Sequence, residues 1–156
     1  MKNLFKLVFT SIFICIFSQS FAQVNGDFVS ARTGNWNSAS TWRIYNSGWG
    51  AASHPPTGTE TITILSSHTV TLDVPVSISG LLINVGGRIV AGGNLTIAAT
   101  GTYEHAGNTT IIPTATWAVG STLLVTGIIN ATSFTSGGSQ NFYNITWNCP
   151  NGGEYV

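Results

Sequence analysis

Five carboxylates (Asp27, Glu60, Asp73, Glu104 and Glu154) and three histidines (His54, His68 and His105) are the side chains of this 156-residue sequence equipped for acid–base or metal chemistry. Glycoside hydrolysis uses two carboxylates about 5 to 10 Å apart. In a coil whose turns take roughly 20 residues each, no acid falls one turn from Asp73, and Glu104 lies a turn and a half on. Calcium-assisted lyase chemistry needs clustered oxygen ligands, and the sequence has no Asp-Asp or Asp-x-Asp pair. His68 and Asp73, in SSHTVTLD, have the residue types of a general base and its orienter. On an extended strand they stand about 16 Å apart. His68 is therefore expected in a turn, hydrogen-bonded to backbone, with Asp73 ending the strand and capping a corner. His105 alternates inward with Tyr103 and reads as a buried neutral core histidine. Three dispersed histidines and a cysteine do not make a zinc site. No catalytic residue, metal ligand or cofactor is assigned.

The tryptophans carry more information. SARTGNWNSASTW places Trp36 and Trp42 six residues apart among small and polar neighbours, just before the strands begin. Large aromatics bury much apolar area each, so the pair is assigned as a structural cap over the open end of a core. Ser38 or Ser40 is expected to cap a single helical turn beneath it. Trp49, Tyr143 and Trp147 are the candidate glycan contacts. Asn94, Asn108, Asn130 and Asn144 each open an Asn-x-Ser/Thr triplet, close to chance in so Asn/Ser/Thr-rich a sequence. Gly86-Gly87, Gly92-Gly93 and Gly137-Gly138 precede no helix, so they are read as tight corners and not as phosphate cradles.

These residues must be held by short strands. From Thr61 onward Val, Ile, Leu and Thr alternate in brief runs separated by Gly, Asn and Ser, the pattern of strands and tight turns. The runs fall into three interleaved sets. One is Ile62/Ile64, Leu81/Ile83, Tyr103/His105, Leu123/Val125 and Ile145/Trp147. Another is Val70/Leu72, Ile89, Ile111 and Ile129, and the third Val76/Ile78, Leu95/Ile97 and Trp117/Val119. A shared period of about 20 residues in three phases predicts three strands per turn, stacked turn on turn. A sandwich also shows regularly spaced short strands but does not require three phases to share a period. The expected fold is all-β: a right-handed parallel β-helix of four to five short turns with an N-terminal aromatic cap.

The segment from Met1 to Ala22 reads differently. Lys2 and Lys6, an apolar run from Leu7 to Phe17 and small residues at Ser20 and Ala22 form the three regions of a secretory signal peptide. The apolar run is too short to span a bilayer comfortably. Cleavage before Gln23 leaves three arginines against five acids, a formal charge of −2. That balance lacks the basic patch nucleic acid requires. It also leaves Cys149 as the one cysteine, so no internal disulfide can form.

GDFVSARTGNWNSASTW, PPTGTETITI, SSHTVTLD and GLLINVGGRIVAGGNLTI together resemble the N-terminal region of large secreted Bacteroidetes proteins. The first turns are also similar to the eight-glycine extracellular domain of some animal surface proteins. The resemblance covers about residues 26 to 147. It implies a secreted or cell-surface β-helix, often the start of an adhesin-like or carbohydrate-associated chain. One departure is that nothing after Trp147 resembles a type IX sorting domain. The organisation expected is a signal peptide at 1–22, a cap and approach segment at 23–60, and β-helix turns at 61–156, truncated at the C-terminus. The functional expectation is a secreted or cell-surface structural, adhesin-like module without catalytic activity. The alternative is a carbohydrate-binding or carbohydrate-active module. Expected partners are extracellular polysaccharide or cell-surface components, and self-association through an open C-terminal edge. Neither nucleic acid nor a membrane span after signal cleavage is expected.

Overall fold

The computed structural model describes residues 22–109, 111–129, 134 and 136–149. The signal-peptide assignment, Asn130 and Glu154 fall outside the described residues, apart from Ala22. Three sheets wind into a parallel β-solenoid of about four turns. The first sheet takes one strand from each successive turn, with incomplete turns at its ends: β1 (Phe28–Ser30), β5 (Thr61–Ile64), β8 (Leu81–Asn84), β11 (Thr102–His105), β13 (Thr122–Val125) and β14 (Asn144–Trp147), each parallel to the next. The second sheet is β2 (Gly34–Asn35), β6 (Thr69–Thr71) and β9 (Arg88–Val90), and the third is β7 (Val76–Ile78), β10 (Leu95–Ile97) and β12 (Thr116–Trp117). Among the described residues no helix is long and apolar enough to cross a membrane.

Two antiparallel strands finish one end. β3 (Trp42–Tyr45) pairs with β1, and β4 (Trp49–Ala51) pairs with β3. Their hairpin extends the first sheet to eight strands and ends its parallel ladder. Between β2 and β3 the chain makes a single 3-10 turn, Ala39–Thr41. Ser38 stands at its N-cap, yet its hydroxyl bonds the Ser40 hydroxyl at 3.0 Å and caps no backbone N–H of the turn. The parallel rows already begin in this segment, where Phe28 pairs with Ile62 and Gly34 with Val70.

Inward side chains stack in register along the coil. One row runs Phe28, Ile62, Leu82, Tyr103, Leu123 and Ile145; the next runs Ile64, Asn84, His105, Val125 and Trp147. Here the structure corrects the expected register. Leu82 and Asn84, not Leu81 and Ile83, point inward in the second turn. Ile112 and Ile128 are buried in place of the expected Ile111 and Ile129, which are exposed. Trp117 pairs with Ile97 and not with Leu95, so Val119 falls outside the core at 73 % exposure. A one-residue slip moves every side chain of a strand to its other face.

At the hairpin end Trp36 and Trp42 are both buried in the core. Their rings meet edge to face at 5.0 Å between centroids, and Trp42 meets Phe28 the same way at 6.5 Å. Trp42 Nε1 donates to Trp36 O at 2.8 Å and Trp36 Nε1 to Pro56 O at 3.2 Å. Both indole N–H groups thus keep a partner after leaving water, which buried tryptophan requires.

Candidate functional site

The outer face of the first sheet carries an exposed tryptophan at the hairpin end. Phe28 and Ile44 turn inward, so alternation sends Asp27 and Tyr45 to the opposite face. Trp49 pairs with Tyr45, and Tyr45 N–H donates to Asp27 O at 2.8 Å. Asp27 in turn neighbours Thr61, because Phe28 pairs with Ile62. Trp49, Tyr45, Asp27 and Thr61 therefore stand in line across four adjacent strands or strand ends, about 4.8 Å apart. Trp49 is 40 % exposed, and its ring is held edge to face against Tyr45, 5.3 Å between centroids. Beside it lies a groove of about 300 Å³ lined by Trp49, Asp27, Thr61, Thr63, Ile83 and Val85 among others. Asp27 Oδ2 accepts the Val24 N–H at 2.8 Å. Among the described residues no lysine, arginine or histidine lines the groove.

The three candidate glycan contacts do not meet. Trp49 lies on β4 and Trp147 on β14, the two outermost strands of the eight-stranded sheet. Seven strand spacings separate them, about 34 Å. Tyr143, 55 % exposed, sits beside β14. Trp147 packs edge to face on Phe134 at 6.1 Å.

A polar chain runs through the apolar interior. Asn84 Nδ2 donates to the Tyr103 hydroxyl at 3.0 Å, Tyr103 OH lies 3.4 Å from His105 Nδ1, and His105 Nε2 lies 2.7 Å from Thr109 O. A carbonyl only accepts, so the Nε2–H tautomer is the one that fits, leaving Nδ1 to accept from the tyrosine. Burial holds the His105 pKa below its ordinary 6.5, against the raising effect of the Thr109 carbonyl. The ring is neutral and in the core. Burial likewise pushes the Tyr103 phenol well above its ordinary 10, with the Asn84 amide opposing.

Among the described residues, His68, Asp73, Glu60 and Glu104 are bound into structure. His68 Nδ1 meets Ser30 Oγ at 2.8 Å, and Ser30 Oγ also accepts the Leu65 N–H at 3.0 Å, so the serine hydroxyl bridges the ring and the backbone. This is a nucleophile-and-base pair by residue type, yet Ser30 is only 1 % exposed. Its effect is to tie β1 to the corner before β6. Asp73 Oδ1 accepts the Asn37 N–H at 3.0 Å, fastening the cap segment and not the corner after its own strand. Glu60 gathers the Thr57 hydroxyl and the N–H groups of Thr57, Gly58 and Thr59. Glu104, 5 % exposed, accepts the Thr126 hydroxyl at 2.8 Å. Cys149 is a half-buried free thiol, with Sγ 3.6 Å from Val125 O. Among the described residues no three His, Cys, Asp or Glu side chains gather to hold a metal ion.

The asparagines of the Asn-x-Ser/Thr triplets work as rungs between turns. Asn94 Nδ2 donates to Leu72 O, Asn108 Oδ1 accepts from Ile129 N, and Asn144 Nδ2 reaches Gly120 O. Of the glycine pairs, Gly86, Gly92, Gly93 and Gly137 have positive φ, whereas Gly87 and Gly138 do not. Gly87 is required by proximity instead, since a Cβ there would lie 2.5 Å from Leu65 O. No family model matches the chain, and no curated protein or solved structure matches it.

Proposed function

We propose that this chain is a secreted or cell-surface structural module of the adhesin-like kind, without catalytic activity, forming the capped start of a longer coil. The observation that carries this reading is the contrast between its two ends. In the inward row that begins at Phe28, every member through Leu123 is at most 1 % exposed, whereas Ile145 is 59 % exposed. The hairpin and the tryptophan pair close one end; at the other the row is ready for a further layer. Dispersal of the acids and histidines into structural hydrogen bonds supports the non-catalytic part. The resemblance to the N-terminal region of Bacteroidetes secreted proteins, and the signal-peptide pattern of residues 1–22, support the extracellular part.

The test is an antibody against residues 23–156, applied to fractionated producing cells. A protease-accessible surface species, longer than this chain, is the expected result. A species confined to the cytoplasm would sink the reading. A species matching residues 23–156 would replace the longer coil by a free-standing one, with the β14 edge paired to a second copy; sedimentation would then show a dimer.

A further inference from the structure

We propose that the groove beside Trp49 binds one pyranose unit of a neutral extracellular polysaccharide. The inference takes its ligand's source from the extracellular reading above; the binding chemistry does not need that reading. Three observations carry it.

The first is the state of the aromatic. Trp36 and Trp42 are buried, whereas Trp49 presents 40 % of its surface on an outermost strand. It is nevertheless held in place, because Tyr45 meets it edge to face at 5.3 Å and 69°. A positioned aromatic plane is a large contact area with little ordering left to lose on binding.

The second is the distribution of polarity. Val85, 40 % exposed, supplies apolar surface, while the Asp27 carboxylate and the Thr61 and Thr63 hydroxyls supply acceptors and donors along the same groove. A pyranose has the matching division: a C–H face that covers an aromatic, and a rim of hydroxyls. Asp27 Oδ2 holds Val24 N–H, and Oδ1 remains to accept from a sugar hydroxyl, a charge-assisted bond about twice as strong as a neutral one. A volume of about 300 Å³ lies at the small end of ligand sites, which suits one ring of a chain that continues over the sheet.

The third is charge. The Asp27 carboxylate is the one charged side chain lining the groove, and Gln23, whose α-amino group signal cleavage frees, lines it as well; the two charges offset, so the site favours a neutral sugar over a uronate or sulfated one.

Native affinity electrophoresis of the purified chain tests this, with hydroxyethylcellulose, xylan, laminarin, galactomannan and polygalacturonate as probes. Retardation by at least one neutral glycan is expected, weakened roughly tenfold in Trp49→Ala as a lost stacking contact implies. Thr63→Lys, which fills the groove without touching the tryptophan, is expected to weaken it comparably. Tyr143→Ala, at the far end of the sheet, is expected to leave it unchanged. No retardation by any neutral glycan, retardation by polygalacturonate alone, survival of binding in both groove variants, or loss in Tyr143→Ala would each overturn the site. None of these outcomes bears on whether the module is surface-borne, which the antibody experiment decides separately.

Discussion

The Gln140 carboxamide stands against Ala115 and its neighbours as a strand's peptide group would. Its Oε1 accepts the Ala115 N–H at 2.7 Å and the Trp117 indole N–H at 3.2 Å, while Nε2 donates to Pro113 O at 3.1 Å and Gly137 O at 2.7 Å. One side chain thereby satisfies backbone groups at the start of β12, the last strand of the third sheet. An unpaired edge of this kind otherwise invites another chain.

Gln140→Glu keeps the acceptor and removes the donor, setting a carboxylate oxygen against two carbonyls. Stability is expected to fall by about 1 to 2 kcal/mol, the effect of leaving polar groups unpaired at a half-buried site. Urea unfolding of the variant beside wild type measures it, and an unchanged midpoint would mean that the loop is held by something else.

The tryptophan pair gives a graded prediction. Trp42→Ala should cost about 3 to 5 kcal/mol through cavity formation. Trp42→Phe retains much of the packing but leaves Trp36 O without its 2.8 Å partner, and should cost about 1 to 3 kcal/mol. Trp49→Ala, on the exposed face, should stay within about 0.5 kcal/mol. Denaturant midpoints for the three would disprove the cap if Trp42→Ala and Trp49→Ala proved equal.

Acid should destabilise the fold in two steps. His105 has a folded pKa below 6.5, so the folded state binds fewer protons than the unfolded one beneath that value. Its contribution is complete above pH 6.5 and declines as pH falls toward the folded pKa. For Glu60, burial acts to raise the pKa, but the Thr57 hydroxyl and the surrounding backbone N–H groups outweigh it, and the net value lies below 4.5. That contribution is present above pH 4.5 and is lost as pH falls through the folded value. Stability measured from pH 8 to 3 should therefore decline first below 6.5 and again below 4.5. His105→Gln should abolish the upper step alone; persistence of that step in the variant would assign it to another group.

Two glycine substitutions should separate crowding from backbone conformation. Gly101 has no positive φ, but a Cβ there would overlap the Ile78 carbonyl oxygen of the turn before. Gly101→Ala should force the two turns apart and cost several kcal/mol, about 3 or more by analogy with overpacked cores. Gly92 has φ of 57° and open space around the Cβ position, so Gly92→Ala should cost only about 1 kcal/mol. Thermal unfolding giving the reverse order would contradict the stacking register.

The coil was legible because all three strand sets share one period, which periodicity alone can reveal. Register was less so, for a reason visible in the residues. Leu81-Leu82-Ile83, Ile111-Ile112 and Ile128-Ile129 are apolar at adjacent positions, so alternation does not say which member faces in. In the second turn the inward choice includes polar Asn84, which only the Tyr103 hydroxyl one turn later accounts for. Trp49 could be named as a candidate contact from the sequence, but its alignment with Asp27 could not, since it depends on an antiparallel hairpin inserted into a parallel sheet. Ser30 with His68 and Gln140 with Ala115 join residues 38 and 25 positions apart; single side-chain bonds at such separations leave no periodic trace.

The antiparallel hairpin also gives the molecule a direction in time. β1 can complete its parallel pairing once β5 has emerged, and each later strand of that sheet needs only its predecessor one turn earlier. In a chain that leaves a ribosome or a translocon N-terminus first, the closed end forms earliest and acts as the seed. Every subsequent turn then docks on a finished surface, with contacts to the nearest neighbour alone. Assembly proceeds one way along the axis, and until the next turn docks the growing tip presents an unpaired strand edge to the surroundings.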